Sequence, residues 1–80
     1  MLPVQCKMAR TALGWGVREL AERAGKSPTT IAKFERGNEL RAETLADIQR
    51  ALEKAGVEFI PENGGGPGVR LAKRKGKMKR

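Results

Sequence analysis

Eighty residues suffice for one domain with a thin core, since a chain of this size buries only about 60% of the surface it exposes when unfolded. The composition contains no His, no Tyr and a single Cys, which leaves little material for a metal site, a catalytic triad or a disulfide framework and argues against an enzyme or a cofactor. The net charge of +8 has the form of a nucleic-acid signature, but residues 73–80, KRKGKMKR, hold six of the 17 basic side chains and no acid, so the preceding residues are only +2.

The first predicted helix runs from Pro3 to Leu13, with Val4, Met8, Ala9, Ala12 and Leu13 on one face. Pro3 suits a first helical turn and Gly14 can take the positive φ that ends a helix. Cys6 lies within this apolar-periodic stretch and reads as a small core residue in a reducing compartment. Trp15 follows at the corner, where it packs over the helix ends. A second helix, Val17–Ala24, places Val17, Leu20, Ala21 and Ala24 on one stripe and turns Arg18, Glu19, Glu22 and Arg23 outward. Gly25 stops it. Ser27 is a good N-cap and Pro28 a good first residue for a third helix, Pro28–Arg36, whose inward residues are Ile31 and Phe34. Gly37 ends that helix in turn.

After the loop Asn38–Arg41, a fourth helix from Ala42 to Ala55 repeats Leu45, Ile48 and Leu52 at helical spacing. Two short strands then follow, Val57–Ile60 and Gly68–Ala72, joined by the turn residues Pro61-Glu62-Asn63-Gly64-Gly65-Gly66-Pro67. The triple glycine lacks the GK[ST] of a phosphate-cradling loop and no helix pattern follows it, so it reads as a hairpin turn. The expected architecture is mainly α: four helices over residues 1–56, a β-hairpin over 57–72 and a disordered basic tail over 73–80. No apolar run approaches the roughly 18 residues of a membrane span and the N-terminus lacks a signal-peptide pattern, so the expected location is the cytoplasm, on the nucleoid.

The stretch that carries function is Leu20-Ala21-Glu22-Arg23-Ala24-Gly25-Lys26-Ser27-Pro28-Thr29-Thr30-Ile31-Ala32-Lys33-Phe34-Glu35-Arg36-Gly37. Two short helices joined by three residues at Gly25 must cross steeply, and the small Ala21 and Ala24 permit close approach. The second helix then stands out as a ridge carrying Pro28, Thr29, Thr30, Lys33 and Arg36. Neutral hydrogen-bonding groups and cations, led by a helix N-terminus, suit a major groove and its flanking phosphates.

The sequence resembles the Cro and phage-repressor-like, xenobiotic-response-element type helix-turn-helix family. The matching residues are Leu20, Ala21, Gly25, Ser27, Ile31, Phe34, Glu35 and Gly37, and the resemblance covers about residues 4–56. The continuation EFIPENGGGPGVRL is similar to the C-terminal extension of small stand-alone regulators of this type. The resemblance implies a lambda-repressor-like fold and a homodimer that sets two recognition helices about 34 Å apart on an inverted-repeat operator in double-stranded DNA. It assigns Pro28, Thr29 and Lys33 to base edges, with Thr30 and Ser27 at the edge of the site or on phosphate. Arg36, Asn38 and Arg41 would hold the backbone. A structural ion pair between the first and third helices falls on Arg10 and Glu35.

Three departures from the family pattern stand out. Gly16 and Val17 occupy the places of a usual Ser-Gln, so Arg18 or the backbone N–H groups must replace the phosphate contact expected there, or affinity is lower. Lys26 stands where an apolar residue is usual, and its stem can cover the gap while its amine reaches solvent or phosphate. Pro28 replaces a frequent base-reading Gln or Arg. In the hairpin, alternation puts Val57 and Phe59 on one face and Val69 and Leu71 on one face of the second strand, a set that pairing across a two-fold axis would bury; the alternative is packing on the helices of the same chain, with dimerisation through helices. In the tail, Lys73, Arg74 and Lys75 are expected to contact phosphate and to add affinity without specificity. The functional expectation is a dimeric transcriptional regulator of the repressor kind. An antitoxin-like autoregulator that also binds a toxin, and an interaction module that contacts the transcription machinery, are the competing readings.

Overall fold

The computed structural model describes residues 1–72. The run 73–80, including Lys73, Arg74 and Lys75, lies outside the described residues. Four helices come first in the chain: α1 (Pro3–Ala12), α2 (Val17–Ala24), α3 (Pro28–Glu35) and α4 (Ala42–Lys54). The strands β1 (Val57–Ile60) and β2 (Gly68–Leu71) complete the fold. The expected ends at Leu13, Arg36 and Ala55 are one residue too long, because these three residues are the C-caps of their helices.

Local chemistry accounts for the boundaries. The Ser27 hydroxyl accepts a hydrogen bond from the Thr30 N–H at 3.1 Å and so satisfies one of the free donors that open α3. At the other side of the turn, Gly25 has φ +70°, which lets the chain leave α2 by a left-handed residue. There the Lys26 N–H donates to Ala21 O at 2.9 Å and the Gly25 N–H to Glu22 O at 3.2 Å, which caps the last carbonyls of α2.

The core is drawn from every helix and from the hairpin. Cys6 and Ala9 of α1, Leu20 and Ala21 of α2, Ile31 and Phe34 of α3, Ile48 and Leu52 of α4, and Val57 of β1 form one buried cluster. Full burial of each large aliphatic side chain in it is worth about 1.5–3 kcal/mol. The buried face of α1 differs from the one expected. Gln5, Cys6 and Ala9 point inward, whereas Val4 is 52% exposed and Ala12 is exposed. Ala9 belongs to both faces, so the buried stripe is only partly rotated, and Gln5 is held on it by hydrogen bonds. The Gln5 amide Nε2 donates to Ile60 O at 3.1 Å and to Gly68 O at 2.9 Å, while its Oε1 accepts from the Leu2 N–H at 2.9 Å. A polar residue that periodicity assigns to solvent is thereby buried at no hydrogen-bonding loss.

The two strands pair antiparallel with Val57 opposite Leu71, Phe59 opposite Val69 and Ile60 opposite Gly68. Their inner face lies on the helices: Val57 is buried, and Phe59 and Val69 pack on the core. This placement uses Val57 inside its own chain, so the apolar set expected at a dimer interface is reduced there. Leu71 alone of the four is widely exposed, at 52%. Outward, Arg70 Nε donates to Glu58 Oε1 at 2.7 Å across the ladder.

Candidate nucleic-acid interface

The interface begins with how α3 is held. Ile31 and Phe34 are buried and turn the opposite face of α3 outward, so that Pro28, Thr29, Lys33 and Arg36 are exposed. Ala21 of α2 is buried in the same cluster as Ile31 and Phe34 of α3 and has no side chain beyond Cβ. At the C-terminal end, Glu35 turns inward and forms a two-pronged pair with Arg10. Nε lies 2.8 Å from Oε2 and Nη2 lies 2.9 Å from Oε1. Arg10 also donates through Nη1 to Trp15 O at 3.3 Å. The two side chains are only 14% and 10% exposed, so the pair is largely removed from water and each charge depends on the other. The hydrogen bond to Glu35 raises the Arg10 pKa above its ordinary value, against the opposing effect of burial.

The Cys6 thiol completes this cluster by donating to Glu35 Oε2 at 3.4 Å. Burial first, then the Glu35 charge, push its pKa up to about 12. Since Glu35 is the sole acid of α3, turning it inward leaves the exposed face of the helix free of acids.

The ion pairs sort the cations of the molecule. Among the described residues, Arg10, Arg23, Lys26, Arg50 and Arg70 are each bonded to a carboxylate. Lys7, Lys54, Arg18, Lys33, Arg36 and Arg41 belong to no ion pair there, and all six are exposed; the last four are the expected DNA contacts. These four sit in the first turn of α2, on α3, at the C-cap of α3 and at the N-cap of α4. Asn38 is exposed in the loop between the last two, with its N–H bonded to Lys33 O at 3.0 Å.

Two expected contact residues are placed differently. The Thr30 hydroxyl lies 3.0 Å from Ser27 Oγ, and Thr30 is half-buried, so its side chain serves the cap of α3. The Lys26 ammonium, expected at phosphate, lies 3.0 Å from Asp47 Oδ2 on α4. Three participants escape sequence reasoning: Gln5, Asp47, and the stacking of the Arg23 guanidinium 4.7 Å from the centre of the Trp15 ring. A lysine at a usually apolar position was the one signal that a carboxylate partner would be needed.

A family model described as Helix-turn-helix matches residues 7–59, which span α2, its turn and α3 together with most of the remaining fold. The chain belongs to the Cro/repressor-like helix-turn-helix family. This helix-turn-helix protein is a DNA-binding transcriptional regulator, and its family is not one of enzymes. No curated protein sequence matches the chain. Among the described residues no helix is long and apolar enough to cross a membrane.

Proposed function

We propose that the protein is a repressor that binds an inverted-repeat operator as a homodimer, with α3 in the major groove and the promoter occluded by the bound dimer. The observation that carries this reading is the exposed face of α3. Its one acid, Glu35, is turned inward to Arg10, while Lys33 on the helix, Arg36 at its C-cap and Arg41 after the following loop have no carboxylate partner among the described residues. Cations left unpaired on and beside such a helix are what a phosphate backbone rewards, through release of its condensed counterions.

In this reading Pro28, Thr29 and Lys33 meet base edges, Lys33 donating to guanine and the Thr29 methyl touching a thymine methyl. Thr30 acts from the cap. Arg18, Ser27, Arg36, Asn38 and Arg41 hold the backbone, and Lys73, Arg74 and Lys75 extend that grip. The second copy adds at the hairpin, where Leu71 remains exposed at the end of a two-stranded sheet and Phe59 and Val69 are partly accessible. The protein acts on the nucleoid in the cytoplasm.

Selection of bound sites from random duplex DNA tests the reading. The expected product is an inverted repeat with half-sites about one DNA turn apart. Thr29→Ala and Lys33→Ala should each cost about 1–3 kcal/mol of discrimination at the base pair they meet. Folded variants that bind the selected site as the parent does would overturn the assignment of α3.

A further inference from the structure

The contact between Lys26 and Asp47 has a bearing on how α3 is aimed. Lys26 lies between α2 and α3 and is held at both ends: its N–H donates to Ala21 O of α2 at 2.9 Å, and its Nζ lies 3.0 Å from Asp47 Oδ2 of α4. The other carboxylate oxygen, Oδ1, accepts from Arg50 Nη1 at 3.0 Å, so both oxygens of Asp47 are engaged. The next residue, Ser27, is the cap of α3. Among the described residues, two side-chain ion pairs therefore brace α3 against other helices, one at each end. Glu35 ties its C-terminal end to α1 and Lys26 ties the residue before its cap to α4.

We propose that Asp47 is a positioning residue for DNA recognition, fixing through Lys26 the angle at which the first turn of α3 meets its bases. The proposal rests on the reading of α3 as the recognition helix. With the Arg10–Glu35 tie left in place, loss of the Lys26 tie frees the opposite end, and a helix pivoting about its C-terminal end moves its first turn furthest. Pro28 and Thr29 lie there, whereas Lys33 lies near the pivot. Asp47 thus sharpens the choice of bases met by the first turn and contributes nothing to the backbone grip. General electrostatics makes the opposite forecast. Removing the Asp47 charge then strengthens binding to every duplex by the same factor and leaves their ratio unchanged.

The test measures Kd for the selected operator and for a random duplex of equal length, at one salt concentration, with the parent protein and the D47N, K26Q, K26Q/D47N and T29A variants. Thermal unfolding of each variant confirms that it is folded. The expected result is a specific-to-random ratio lowered about two- to fivefold in D47N, the range of a partly exposed ion pair. The loss should fall on the same base pairs that T29A relaxes. K26Q and the double variant should show the same loss as D47N, because the two side chains act as one unit. An unchanged ratio in folded D47N, a uniform rise in affinity, or additive losses in the double variant would overturn the role of Asp47. If T29A itself left discrimination intact, the assignment of α3 would fail first.

Discussion

Cys6 shows how far a single side chain is governed by its neighbours. Buried in the core and donating to Glu35, it is held as the neutral thiol up to about pH 12. Its unfolded pKa is near 9, so the native state binds the proton more tightly than the unfolded chain does. The contribution to stability is complete below pH 9 and is lost as the pH rises from there towards 12. Urea denaturation across that range should show the midpoint falling with pH in the parent and a shallower fall in Cys6→Ala. At pH 8 the native thiol should resist alkylation and react only as the chain unfolds, as followed by mass spectrometry. Glu35→Ala strands the Arg10 guanidinium in a largely dry site and should cost about 3 kcal/mol in the same measurement. The Arg10–Glu35 pair is legible from the family resemblance together with the cost of an unpaired guanidinium near the buried stripe, whereas the thiol's share in it is not. Apolar periodicity can bury a Cys, but it cannot say which carboxylate the sulfur will face.

At the scale of elements, the helix stops and starts were legible because each is written in one or two residues. Ser27-Pro28 opens α3 and Gly25 closes α2. An alanine at Gly25 would meet no atom within 4 Å, so the penalty of Gly25→Ala lies in the backbone, with φ at +70°. It should be about 1–2 kcal/mol in thermal or urea denaturation. The orientation of α1 was not legible. Its periodicity favoured a face containing Val4 and Ala12, and the decisive contact joins Gln5 to strands more than fifty residues away. Polar side chains that bury themselves by bonding to distant carbonyls carry no periodic signal. Gln5→Ala leaves those two carbonyls without the amide and should cost about 1–3 kcal/mol. Hydrogen exchange should then show the loss of protection concentrated in β1 and β2 and slight in α2 and α3. The same limit applies to the candidate interface: the exposed face of α3 could be read from spacing, whereas the diversion of Lys26 to Asp47 depends on a tertiary neighbour.

For the whole molecule, the division between cations bonded to carboxylates and cations left unpaired beside α3 makes a forecast that simple net charge does not. Replacing Arg18, Lys33, Arg36 or Arg41 by Gln should each lower the magnitude of the log Kd against log salt slope by about 0.9. Arg23→Gln, Arg50→Gln and Arg70→Gln remove the same formal charge, yet their cations are already bonded to carboxylates and the slope should stay unchanged. Fluorescence anisotropy over a salt series separates the two groups. The hairpin shares the helical core through Val57, so DNA affinity and hairpin docking belong to one folded body. The Gln5 clasp then bears on lifetime. It closes a separation of 63 residues and can form only after α1 and both strands are in place. An interaction made that late stabilises the native state without helping the chain to reach its transition state. Stopped-flow chevrons of Gln5→Ala should therefore show the unfolding arm displaced to faster rates, with the refolding arm nearly superimposed on that of the parent. A contact between the first helix and the hairpin would in this way set how long a bound regulator keeps its shape.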